Sequence, residues 1–266
     1  MNVVYGRRQD PRFRSEADGS TTDLNALDKK FDDLKATLKL GGTGDVDLSQ
    51  YCVAMNQYSA ESCTGNATCE ALEMLENMAT GSATLLSRLF TYGMARTIEG
   101  TLSSDVGSHV RTCFETLSDF GVCTEALWPY DLTKVTTPPS IAAQQQAVGH
   151  KITGYYRITS TGSQRLADIQ TALHNKLPVV IGTDVGPDFE NLPVGTNGPL
   201  GPPSSVVGGH AIVIAGFIGG NYLIKNSWGT GWGANGFCLF TPDYIVWPDT
   251  NDLWVPTTAP TAFPSS

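Results

Sequence analysis

No apolar run in this chain is long enough to cross a bilayer; the longest, Ala211 to Ile218, ends after two turns' worth of helix. An excess of basic charge is also missing. Lys and Arg number 17 against 26 Asp and Glu, for a net charge of −9. A phosphate-tracking nucleic-acid binder needs a basic face, and docking on anionic lipid needs one too, so both partners are excluded from the reading. C-x-x-C pairs are absent. The six cysteines, Cys52, Cys63, Cys69, Cys113, Cys123 and Cys238, are scattered, which leaves a zinc site without support and calls for no metal or cofactor. The opening residues Met1 to Arg8 hold no apolar stretch of the secretory kind, so a cytoplasmic, reducing location is the expectation. Gly (28) and Pro (15) are too few for a low-complexity chain, and 41% hydrophobic residues suffice for a packed core.

Three textures follow one another along the chain. Residues 1–22 are polar and aperiodic, an extended arm. Leu24, Leu27, Phe31, Leu34 and Leu38 then form one helical stripe, with charged residues on the other faces, which predicts an amphipathic helix over 23–39 capped by Asp23 and stopped by Gly41-Gly42. Such a stripe needs a surface to cover. Plain docking on the main domain is the preferred reading, and a removable or regulatory pro-segment spanning 1–45 is the alternative. Helices are predicted over 62–79, starting near Cys63, and near 85–97 and 105–120, with Gly121 closing the last. After Pro138-Pro139 the pattern turns to strands: His150–Ile158, Pro178–Gly182, Ala211–Phe217, Asn221–Lys225 and Gly236–Phe240, with one short helix over Ser163–Asn175. The Gly/Pro-rich stretch between Asp184 and Val207 is long enough to suspect a functional loop. The tail, 256–266, reads as loose. A helical half followed by a β-rich half predicts an α+β fold of two lobes, with a cleft between them as a favoured place for a site.

A thiol nucleophile needs a base to take its proton, a third group to orient that base, and donors for the oxyanion that forms on the carbonyl. Gln57, Cys63, His210 and Asn226 offer these in order. Gln57 carries amide donors. Cys63 stands at the predicted start of a helix, where free N–H groups and the dipole lower a thiol pKa. His210 opens an apolar strand and Asn226 ends the next one, so an antiparallel pairing brings them side by side.

These segments resemble the papain-like cysteine peptidases. Asn56-Gln57 ahead of Ser62-Cys63 is similar to the family's oxyanion glutamine and nucleophile, Gly209-His210-Ala211 to its general-base segment, and Lys225-Asn226-Ser227-Trp228-Gly229 with Trp232-Gly233 to its asparagine segment. Gly121 to Glu125, Trp128-Pro129-Tyr130 and Leu177 to Val180 extend the likeness from about Val46 to Val255, closest to compact bacterial and phage-encoded members. The resemblance implies a two-lobed papain-like fold, with a helical lobe about 57–135 carrying the nucleophile helix, a β-barrel-like lobe about 136–255, and the active site in the cleft. It further implies a cysteine peptidase, an endopeptidase working through a Cys63 thioester, with His210 as general acid and base and Asn226 fixing the imidazole. Trp228 would shield that bond, Gln57 would hold the oxyanion, and Gly107 and Gly209 would line an extended polypeptide substrate. A monomer is expected, with no nucleic acid, membrane or cofactor.

The segment Ala60-Glu61-Ser62-Cys63-Thr64 departs from the family's usual Cys-Gly-Ser-Cys-Trp: the preceding cysteine is missing, and Glu61 places a carboxylate where a glycine is usual. A like charge near a thiolate raises its pKa. Two other readings therefore stay open, a weakly active binding or structural protein on the same fold, and an acyl-transferase. The remaining cysteines are read as small buried hydrophobes.

Overall fold

A computed structural model describes residues 5–8, 28–39, 42 and 44–258. Three helices build the first half: α2 (Cys63–Thr80), α3 (Arg88–Ile98) and α4 (Val110–Asp119). The first is buried along most of its length, as its run of Ala, Cys, Leu and Met requires, and Gly81 in the left-handed region closes it. Ser87 caps α3 by accepting the Phe90 N–H. The helix expected from residue 105 begins only at Val110, because Gly107 has φ +73 and Asp105 to His109 form a loop.

The second half is a seven-stranded antiparallel sheet. Six strands run in the order β2 (Gly154–Arg157), β7 (Thr250–Thr257), β3 (Val179–Val185), β4 (Gly208–Ile218), β5 (Asn221–Lys225) and β6 (Phe237–Phe240), and β1 (Val46–Asp47) pairs with β4. Strands β3 and β4 are apolar in nearly every position and buried on both faces. Helix α2 packs against β4, so the helix that begins at Cys63 and the sheet share one core of Leu72, Met74, Ile212 and Ile214. Four short helices complete the lobe: α5 (Ile141–Ala147), α6 (Gly162–His174), α7 (Pro187–Glu190) and α8 (Pro242–Val246). Among the described residues no helix is long and apolar enough to cross a membrane. All six cysteines are free thiols.

Three expectations need correction. Of the amphipathic helix predicted over 23–39, the described residues are helical only as α1, Phe31–Lys35. Leu24, Leu27 and the proposed cap Asp23 lie outside the described residues. Lys30 is extended and Asp28 and Lys29 are not helical, because the Lys29 carbonyl accepts the Arg157 N–H and Lys30 bridges Arg157. The segment docks: Phe31 is buried, Lys35 Nζ donates to Asp168 at 2.7 Å, and Asn175 bonds the Lys39 backbone. The tail expected to be loose from residue 256 is strand through Thr257, paired with β2. Finally, the Asp184–Val207 stretch is partly helical, and α7 buries Phe189 against the ring of His210.

Candidate active site

Cys63 is the first residue of α2 and is fully buried. The turn before it is tied down from several sides. Asn66 Nδ2 donates to the Ser62 carbonyl and to Ser62 Oγ, both at 2.9 Å, and Ser62 Oγ is hydrogen-bonded to Tyr130 Oη. Tyr130 in turn donates to the Gln57 carbonyl at 3.0 Å. Gln57 is bound across the cleft, with its N–H on the Ser227 carbonyl (2.8 Å) and its Oε1 accepting from Ser227 Oγ (2.6 Å), while Nε2 donates to the Ala60 carbonyl (3.0 Å). The Gln57 loop and the Asn226 segment are therefore one hydrogen-bonded unit joining the two lobes, reinforced by the bridge between Asn56 and Trp228.

His210 on β4 and Asn226 just past β5 meet at 2.8 Å between Nε2 and Oδ1. The Ser227 N–H donates to the same Oδ1 at 2.8 Å, which fixes that atom as the amide oxygen. An amide oxygen only accepts, so His210 carries its proton on Nε2 and presents a lone pair on Nδ1. Among the described residues Nδ1 has no hydrogen-bond partner, and it is not bonded to Cys63. Trp228 lies over the imidazole with ring centroids 4.9 Å apart, and Phe189 closes on both rings. Lys225, just before Asn226, donates to the Asn226 carbonyl at 2.6 Å and faces Glu70 of α2 at 4.0 Å, both side chains buried.

The expectation of a low thiol pKa at Cys63 is reversed. Burial pushes the thiol up to about 11, although the N–H groups of Ala211, Gly6 and Thr64 and the charge of Arg7 oppose it. Burial likewise lowers His210 to about 4, against the Asn226 bond. The pair is therefore neutral here. The Glu61 carboxyl is raised above its ordinary range by burial and by the Asp105 charge; both oxygens of Asp105 accept the Glu61 N–H and one accepts the Tyr92 hydroxyl.

The burial comes from residues that the sequence reading had assigned to a polar arm. Residues 5–8 run extended through the cleft. Ser108 N–H donates to the Gly6 carbonyl and Arg8 N–H to the Ser108 carbonyl, both at 2.9 Å, and Arg7 N–H reaches the Gly209 carbonyl at 3.3 Å. Gly107 and Gly209 are thus where an extended chain passes. A Cβ on Gly107 would stand 2.0 Å from the Gly6 carbonyl oxygen, and one on Gly6 would stand 1.6 Å from that of Glu61. Tyr5 sits edge-on to His210 and Trp228, at 6.2 and 6.1 Å. The sequence placed Tyr130 and Ser227 in family-like segments without a role for either, and gave Phe189 and Asp105 no role in the site. Nothing periodic marks them; they serve through single contacts.

Residues 45–245 match the profile of the papain family of cysteine proteases. An uncharacterized peptidase C1-like protein of Acanthamoeba polyphaga mimivirus is 34% identical over 223 residues, which cover 79% of this chain and 71% of that one. A cathepsin L-like proteinase of Fasciola hepatica is 29% identical over 136 residues, 49% of this chain and 39% of the other. Among solved structures, xylellain, a cysteine protease from Xylella fastidiosa, superposes with a TM-score of 0.78 at 27% identity, with 96% of each chain covered.

Proposed function

The chain belongs to the papain family of cysteine proteases and is a cysteine peptidase acting on polypeptide, and from that premise we propose that Cys63 is its nucleophile, His210 its general acid and base, Asn226 the residue that holds the imidazole, and Gln57 an oxyanion donor. The observation that carries this reading is the tautomer. Asn226 Oδ1, already taken by the Ser227 N–H, keeps the His210 proton on Nε2 and leaves Nδ1 as the base. In the open enzyme Nδ1 takes the thiol proton. The Cys63 sulfur attacks the peptide carbonyl carbon, and the carbonyl oxygen becomes an oxyanion. The C–N bond then breaks as Nδ1–H protonates the leaving amine, which leaves a thioester on Cys63. Water attacks that thioester, Nδ1 taking its proton, and the acid leaves as the thiol re-forms. The ladder of Ser108 with residues 6 and 8 supports an extended substrate, lined by Gly107, Gly209 and Trp228.

Residues 46–255 are read as the catalytic domain, with lobes of about 57–135 and 136–255, and residues 1–45 as a segment that keeps it latent. Seating of residues 5–8 against Cys63, with both titrating groups neutral, supports latency. Digestion of a peptide library by a chain whose seated segment is displaced by Gly6→Ala, where the added carbon would meet the Glu61 carbonyl oxygen at 1.6 Å, alone and with Cys63→Ala or His210→Ala, with products read by mass spectrometry, tests the assignment. Cleavage should vanish in Cys63→Ala and fall by about 10²-fold or more in His210→Ala; cleavage that survives both substitutions sinks it. Adding an amine acceptor separates hydrolysis from acyl transfer, since transfer would yield amide products in place of acids.

A further inference from the structure

Residues 5–8 do more than cover the sulfur, because one of their side chains fills a pocket of its own. Arg7 is 2% exposed in its side chain, and a guanidinium is buried that deeply only where hydrogen bonds and opposite charge receive it. Its Nη2 donates to Asn251 Oδ1, and its Nη1 faces Asp184 Oδ1 at 3.5 Å. Three strands converge on it: β3 through Gly182 and Asp184, β4 through the Gly209 carbonyl, and β7 through Asn251, with buried Asp252 beside Gly182.

Two local features make the pocket. At Gly182 the missing side chain is the space itself, since a Cβ there would stand 2.4 Å from Arg7 Nε and 2.9 Å from the Asp252 Cβ. Beside it the β3–β7 pairing slips: Gly182 faces Asp252 and Thr183 faces Thr250, which leaves Asn251 as the extra residue of a bulge. A bulge re-aims the side chain it carries, and here the side chain reaches the guanidinium. Neither feature is needed to hold the sheet together, and Gly182 weakens it. The pocket also sits at a defined distance along a bound chain. Gly6 lies at the Cys63 sulfur, and Arg7 is the next residue.

We propose that this pocket selects the substrate, taking an arginine or lysine side chain on the residue adjoining the one whose carbonyl Cys63 attacks; the proposal rests on the peptidase reading above. Asp184 supplies the charge, the Asn251 amide oxygen the direction, and Gly182 the depth. A leucine in the same place would strip water from Asp184 and Asn251 without returning hydrogen bonds. A glutamate would set two like charges together.

The test uses the full chain carrying Gly6→Ala, which lifts residues 5–8 off the cleft, together with Arg7→Ala, which vacates the pocket, and the same chain with Cys63→Ala as the control. A peptide series varies one position through Arg, Lys, Leu and Glu, and kcat/KM is read for each. Arg should exceed Leu by about tenfold or more, the discrimination that follows when a site's polar groups lose their partner. Gly182→Val, which fills the pocket, and Asp184→Asn, which removes its charge without changing its shape, should each shrink that ratio to within about threefold. Cys63-dependent cleavage with no basic preference overturns the proposal and leaves the peptidase reading standing. A preference that survives both pocket variants overturns it as well. If no cleavage depends on Cys63, both readings fall.

Discussion

Gly6→Ala separates the cleft-filling role of residues 5–8 from every group assigned to catalysis. The new methyl carbon would stand 1.6 Å from the Glu61 carbonyl oxygen, a distance no packing allows, and the atom it meets is backbone of the turn held by Asp105. The segment must therefore lift. Its lifting exposes Cys63, whose thiol is raised to about 11 chiefly by burial. An exposed thiol has a pKa near 8.5, so the expected fall is about 2.5 units, or roughly 300-fold in thiolate fraction near neutral pH. Ion pairing with His210 in the open cleft would add to that gain. The assay is competitive alkylation with isotope-coded iodoacetamide, read by mass spectrometry at each cysteine. Cys69 and Cys238, both buried and bonded neither to residues 5–8 nor to their partners, serve as references and should not change. A Cys63 rate in Gly6→Ala within about threefold of wild type would refute the account, because burial by residues 5–8 would then not be what protects the sulfur.

Acid should loosen the same closure. His210 is lowered to about 4 in the closed form, against about 6.5 for an ordinary imidazole, so the open form binds the proton more tightly. As far as His210 is concerned, the closed form keeps its full advantage above about pH 6.5, until the Cys63 thiol begins to ionise in the open form near pH 8.5, and loses up to roughly tenfold per pH unit from about 6.5 down to about 4. Hydrogen exchange at the Ser108 and Arg8 amides, corrected for intrinsic rates, should show protection falling across that window, and protection flat from pH 7 to about 4.5 would contradict it. The buried pair of Glu70 and Lys225 gives a stability prediction. Glu70→Leu alone leaves an unpaired buried ammonium and should cost about 3 kcal/mol, whereas Glu70→Leu with Lys225→Met should recover most of that loss. Urea unfolding of the four chains of this cycle measures it; a double variant no more stable than the single would show that the two charges do not offset one another.

Much of this fold was legible because burial leaves a period. Helix α2 announced itself by its Ala, Leu and Met spacing and began where Cys63 was expected, and β5 matched its predicted bounds. The misses fall where one contact overrides local pattern. The leucine stripe ahead of residue 40 promised a helix running unbroken to residue 39, but among the described residues the Lys29 carbonyl accepts the Arg157 N–H, Lys30 bridges Arg157, and helix runs only over Phe31–Lys35. Helix α5 lacks a strong apolar face and is announced chiefly by its Ser140 cap.

The site divides along the same line, and the division has a chemical cause. Gln57, Cys63, His210 and Asn226 were found because reactive side chains come from a short menu and must stand in a workable order. Their environment was not found, because a pKa depends on what covers the group and not on the group itself. Cys63 at a helix start suggested an activated thiolate, yet residues 5–8, which show no period, bury it. An extended strand that binds through its own backbone needs no apolar alternation. It is recognised instead by what it meets, and in this chain those receiving positions are Ser108, Gly209 and the glycines at 107 and 182. A small residue on a strand, such as Gly182 at the end of Pro178-Val179-Val180-Ile181, is the trace such recognition leaves in a sequence. It marks where a second chain must approach closely, and here that chain is the protein's own.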